Sequence, residues 1–114
     1  MKVKKGFYKV MSGVGWREEE GSYINCFPFM IHRSLSQSGQ TWGWSLSHKA
    51  TGHSVQKALT LKGAKLLAKE LSAFSVFNVP TLDTWRIQMS IMQTHRETEY
   101  KKMMKIIEEC KNVK

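Results

Sequence analysis

Five lysines in the middle of the chain, Lys49, Lys57, Lys62, Lys65 and Lys69, are the side chains whose type and spacing point most clearly to chemistry. That chemistry is neutralisation of phosphate, which needs distributed cations with little acid nearby. Between Ser45 and Ser75 the only acid is Glu70. Lys62, Lys65 and Lys69 stand three and four apart, a spacing that sets them on one side of a helix as a row about 10 Å long. Lys2, Lys4, Lys5 and Lys9 form a second group, read as a basic N-terminal arm, flexible over 1–5, that holds a phosphate backbone or an acidic protein. Lys4 and Lys5 complete the expected nucleic-acid-binding set. Over the 114 residues, 18 Lys and Arg face 9 Asp and Glu, a net charge of +9 whose field gathers polyanions or acidic surfaces. The only arginines are Arg17, Arg33, Arg86 and Arg96. Bidentate reading of guanine favours arginine, so contacts to phosphate are expected, with weak sequence preference and strong salt dependence.

Other chemistries find little support in the residues. Glu18-Glu19-Glu20 is the one acidic cluster, and within Arg17 to Gly21 it reads as an exposed turn. His32, His48, His53 and His95 include no HxxxH, and Cys26 and Cys110 no CxxC, so no metal site is expected. Gly13-Val14-Gly15 lacks the third glycine and the Gly-Lys-Ser or Gly-Lys-Thr ending of a phosphate loop. Ser45, Ser47 and Ser54 have a base nearby only in His48, with no orienting group. No base, nucleophile and oxyanion site can be assembled, so the expectation is a non-enzyme without cofactor.

Aromatic side chains stack on bases where a sheet face is open, and Trp42, Trp44, Tyr23 and Phe29 are the candidates; the same alternation packs a sheet on helices, the preferred reading for Trp44. Met89, Met92, Met103 and Met104 make a soft apolar stripe near the C-terminus. Met89 and Met92 are assigned to internal packing, whereas Met103, Met104 and Ile107 are assigned to a partner or a homodimer seam. No apolar run approaches the roughly 20 residues of a membrane span, and Met1-Lys2-Val3-Lys4-Lys5 leads into no secretory apolar region. The expected location is cytoplasmic, with both cysteines reduced.

The elements that must position these groups are those of one α+β domain, residues 1–114: an antiparallel sheet of three to four strands over about 6–59, then two helices over about 61–77 and 82–111. Gly6 to Met11 reads as the first strand and Tyr23 to Arg33 as the second, with Pro28 demanding an edge or a bulge. Thr41 to Leu59 reads as a hairpin around Thr51-Gly52, with Trp44 facing Leu59, Leu46 facing Lys57 and His48 facing Val55. Thr60 caps the next helix, whose stripe Ala64, Leu67, Ala68, Leu71 and Phe74 faces the sheet. Asn78-Val79-Pro80 ends it. A last helix continuous to Lys111 would be roughly 45 Å long, so it must break near Thr94-His95 or pack its last third on a second chain.

In layout, four short strands then a helix over about 6–75, the chain resembles the half-unit of the whirly or coactivator-type single-strand-binding proteins. That resemblance implies a sheet presented to nucleic acid. The expected function is a small basic binding module for DNA, RNA or a nucleoprotein complex. The alternative is an inhibitor or adaptor of the phage or mobile-element type that covers an acidic patch on a host nuclease or defence complex, using the Met-rich end of the last helix and the Glu18-Glu19-Glu20 segment.

Overall fold

The computed structural model describes residues 2–12, 15–35 and 41–114. Among these, five antiparallel strands precede three α-helices: β1 (Lys4–Ser12), β2 (Gly15–Cys26), β3 (Phe29–Leu35), β4 (Thr41–His48), β5 (Ser54–Leu59), α1 (Leu61–Leu71), α2 (Leu82–His95) and α3 (Glu97–Lys111). A short 3-10 turn, Ser75–Phe77, lies between α1 and α2. Strand order in the sheet is β1-β2-β3-β4-β5, a plain meander. Gly13, Val14 and residues 36–40 fall outside the described residues, as does the side chain of Trp42.

The α+β class holds, but strand and helix numbers differ from the sequence reading, each for a local reason. Tyr23 to Arg33 is two strands, not one: Phe27 and Pro28, joined by a cis peptide, make a tight turn that sets Cys26 opposite Phe29. Pro28 thus sits where no ladder bond is needed. Arg17 to Gly21 is not a turn but the middle of β2, where Glu18 faces Lys9 across the ladder and Arg17 pairs with Glu19. Opposite charges across a strand pair stabilise extended backbone that an isolated run of charge does not suggest. Lys4 and Lys5 lie in β1, opposite Tyr23 and Ser22, and so belong to the sheet.

In the β4–β5 hairpin Trp44 faces Leu59 as expected, while Leu46 faces Gln56 in place of Lys57 and Ser47 faces Ser54. The ladder slips twice: between Trp44 and Leu46, where Ala58 opposite sits in the left-handed region, φ 59°, the mark of a bulge, and again between Leu46 and Ser47. The turn is also wider than two residues. His53 O accepts from His48 N at 2.8 Å, and Gly52 N donates back to His48 O at 2.8 Å.

Two faces of the sheet are used. Ile24, Phe29, Ile31, Leu46 and Leu59 pack against Ala64, Leu67, Ala68 and Leu71 of α1 and against Phe77, Met92 and Met103, forming the main core. The other face is covered by the chain's own first hairpin. β2 switches partners at Tyr23, which faces Lys4 of β1 and His32 of β3. Beside that switch Gly6 faces Gly21, so neither strand carries a Cβ where the ribbon turns back. Tyr8 then lies 5.1 Å from the His32 ring, and at the ribbon's far end Met11 N donates to Gly52 O at 2.9 Å. Tyr8 of the ribbon and Met30, His32, Ser45 and Ser47 of the sheet are buried where the two meet.

On the helical side, Thr60 caps α1 by accepting from Gly63 N at 3.0 Å. The expected single long helix is two, broken at Arg96 (φ −131°), so α3 folds back onto α1 and α2. Its C-terminal end is tied to the start of α1 by Thr60 Oγ1 donating to Val113 O at 2.9 Å. No helix of the described residues is long and apolar enough to cross a membrane.

Candidate nucleic-acid interface

The lysines singled out by the sequence divide between the two sides of the sheet. Lys62 and Lys69 are exposed and Lys65 half-buried along the outer side of α1, opposite its buried stripe. Lys49 and Lys57 are exposed on the β4–β5 hairpin, and both serve the ribbon side. Lys49 lines a cavity there, and the charge of Lys57 acts on His32. Among the described residues none of these five lysines forms an ion pair, whereas Lys101, Lys105 and Lys111 of α3 are each matched by a glutamate three or four residues away.

The cavity lies between the folded-back ribbon and the sheet and encloses about 370 Å³. Its aromatic lining is Phe7, Tyr8, Trp16 and Tyr23; Lys9, Asn25 and Lys49 are its polar lining, and Met30 its buried floor. Phe7 is 63% exposed and Trp16 52%, unusual for rings of this size and both at the mouth. Phe27, 80% exposed, stands on the adjacent turn, whose Pro28 O accepts from Lys49 N at 3.0 Å. Burial pushes the Tyr8 phenol above its ordinary range, with the Glu19 carboxylate adding to the effect, so its hydroxyl stays protonated and donates to Arg33 O at 3.5 Å.

No family model, curated protein or solved structure matches this chain.

The remaining candidates resolve into structural roles. Phe29 is fully buried, edge-on to Phe77 at 4.9 Å, and Trp44 packs on the core beneath the Arg33 guanidinium at 5.0 Å. Neither ring is available for stacking. Met103 is buried and Ile107 packs on the core, leaving only Met104 of that trio exposed. Met89 and Met92 pack inward, as expected. Burial pushes the Cys26 thiol up to about 11 and also raises Cys110, so both are free, unreactive thiols. Among the described residues no three His, Cys, Asp or Glu side chains converge. Ser47 Oγ does lie 2.8 Å from His32 Nε2, a contact the sequence did not suggest. Ser47 is only 1% exposed and outside the cavity lining, so no substrate reaches its hydroxyl.

Both buried histidines are locked as neutral rings. His48 Nε2 donates to Phe77 O at 2.8 Å, which leaves Nδ1 to accept from the Thr51 hydroxyl at 2.9 Å. His32 Nδ1 donates to Arg33 O at 3.3 Å, and Nε2 accepts from Ser47. Burial lowers the pKa of each ring below the ordinary histidine value, about 6.5 in an unfolded chain. Between the two values the unfolded chain binds protons that the fold refuses, so stability is complete above about pH 6.5 and falls as pH drops through the folded values. The urea midpoint is expected to be lower at about pH 5.5 than at about pH 7.5, and less so in His48→Asn; equal wild-type midpoints would contradict this.

Proposed function

We propose that this protein is a non-enzymatic binding module for nucleic acid, held mainly through phosphate. The observation that carries this reading is the lysine row of α1. Lys62, Lys65 and Lys69 are unmatched by carboxylates on a domain of net charge +9, while three of the four lysines of α3, Lys101, Lys105 and Lys111, are paired with glutamates along their own helix. Unpaired cations at helical spacing gain most from displacing the counterions of a polyanion. Lys4 and Lys5 of β1, with Lys49 and Lys57, extend positive charge to the ribbon side.

The test is fluorescence anisotropy of labelled single- and double-stranded DNA and RNA at about 50 and about 200 mM salt, the range over which phosphate-driven affinity collapses. Wild type should bind at the lower salt and lose at least about ten-fold at the higher. Lys62→Glu, Lys65→Glu and Lys69→Glu together should remove most of the affinity and flatten the log–log salt slope by about two to three, as expected for three lost phosphate contacts. The fold should survive, since α1 is held by its opposite stripe. Undiminished binding by the triple variant would refute the α1 surface, and no wild-type binding at low salt would refute the nucleic-acid reading.

One observation favours the second reading, a protein-binding inhibitor or adaptor of the phage or mobile-element type. Ile87 (59%) and Ile91 (41%) stand exposed one turn apart on α2, an apolar pair suited to a protein partner. Such a protein would shift no generic oligonucleotide, and would be recovered with its partner in a pull-down that Ile87→Glu abolishes.

A further inference from the structure

We infer that the cavity between the ribbon and the sheet holds one unpaired base of a single strand, an inference that rests on the nucleic-acid reading and gives that ligand its strand state. The argument begins with size. At about 370 Å³ the cavity is at the small end of ligand pockets, suited to a group the size of a nucleotide and too confined for a paired stack. Its walls then select the chemistry. Phe7, Trp16 and Tyr23 offer aromatic faces at or near the mouth, and base–aromatic stacking is the main sequence-tolerant source of single-strand affinity. An aromatic-lined hollow also suits a quaternary ammonium, but cations in the lining repel that ligand. Lys9 and Lys49 are in the lining and no carboxylate is, Glu18 standing opposite Lys9 across the ladder and outside the lining. A flat, stackable ring tied to a negatively charged group satisfies both features at once, and a nucleotide, with its base and phosphate, is such a molecule.

Division of labour follows from these positions. Lys9 and Lys49 meet the phosphates flanking the base. Exposed Asn25, with an amide that both donates and accepts, meets the base edge, and Met30 closes the floor. A duplex cannot offer a base to this site without unpairing it, so the cavity discriminates single from double strand, which the α1 lysines do not.

The test compares three labelled probes of equal length: a mixed-sequence single strand, the same strand in a duplex, and a single strand of abasic units that keeps the phosphates and lacks the bases. Wild type should prefer the base-bearing strand over the abasic one by at least about ten-fold, the scale of one stacked base. Phe7→Ala and Asn25→Ala should each erode that preference and leave abasic binding unchanged, whereas reversal of the α1 lysines should weaken both probes and keep the preference. Trp16 also seats the ribbon on Gly52, so Phe7 and Asn25 carry the test and Trp16→Phe serves as the conservative control. If wild type binds base-bearing and abasic strands equally, or if Phe7→Ala and Asn25→Ala change nothing, the cavity is not a base site while the phosphate-binding reading stands. If wild type binds no probe at low salt, the underlying reading falls and the base site with it.

Discussion

Phe77→Ala should cost about 3–5 kcal/mol, a large share of the roughly 5–15 kcal/mol that holds a domain of this size together. Phe77 is 1% exposed at the end of the 3-10 turn, with its ring 4.9 Å from Phe29 and 5.9 Å from Trp85. Its carbonyl accepts from His48 Nε2, so this one residue joins the α1–α2 connection to the β4–β5 turn. Alanine retains that carbonyl but leaves a cavity among rigid rings, which relax poorly. Phe77→Leu should cost less than about 1.5 kcal/mol by keeping most of the volume. Urea denaturation with an unchanged slope measures both; a loss under about 1 kcal/mol for the alanine variant would mean that the linker is not part of the core.

The second large effect is expected at Gly52. Its φ is +72°, and a Cβ there would come within 2.5 Å of the Trp16 ring and 2.7 Å of Met11 N. Gly52→Val thus meets two penalties. A β-branched residue in left-handed backbone costs about 1–3 kcal/mol, and the collision is with backbone as well as with a ring held by the ribbon. The ribbon must lift from the turn, which breaks the bond from Met11 N to Gly52 O. Hydrogen exchange at the Met11 amide should lose its protection, and base-dependent binding should vanish with the cavity while binding through the α1 lysines persists. Retained protection at Met11 would show that the ribbon is seated by other contacts.

How much was legible in the residues depended on whether the signal was local. The cap at Thr60 and the stripe Ala64, Leu67, Ala68, Leu71 lie within one helix and are read from spacing alone. Length left two outcomes for the last helix, a break near Thr94-His95 or a last third packed on a second chain, because a helix of 30 residues outruns a domain whose greatest extent is 40 Å; the structure shows the break, at Arg96. Register was beyond reach in the β4–β5 hairpin, where Ala58 takes a backbone region alanine seldom visits. Arg17 to Glu20 read as a turn because the partners that make it a strand, Tyr8 and Lys9, lie in another segment. The α1 lysines were legible as a row from their spacing, and Lys62 and Lys69 are exposed while Lys65 is half-buried. The cavity was not, since it draws on β1, β2, β3 and the turn after β4 and exists only once the ribbon folds back. One trace of it was present: Lys4-Lys5-Gly6-Phe7-Tyr8-Lys9 interleaves cations with rings, the composition of a stacking platform.

The meander has a consequence for how this chain finds its shape. Each strand pairs only with its sequence neighbour, so most of the sheet is assembled by closing short loops, the inexpensive kind of ordering. The ribbon is the exception, since its far end rests on a turn that comes three strands later. Loop-closure entropy is therefore concentrated in one late contact, and the hairpin that completes the ribbon-side cavity is the part of the sheet whose seating depends on all the others.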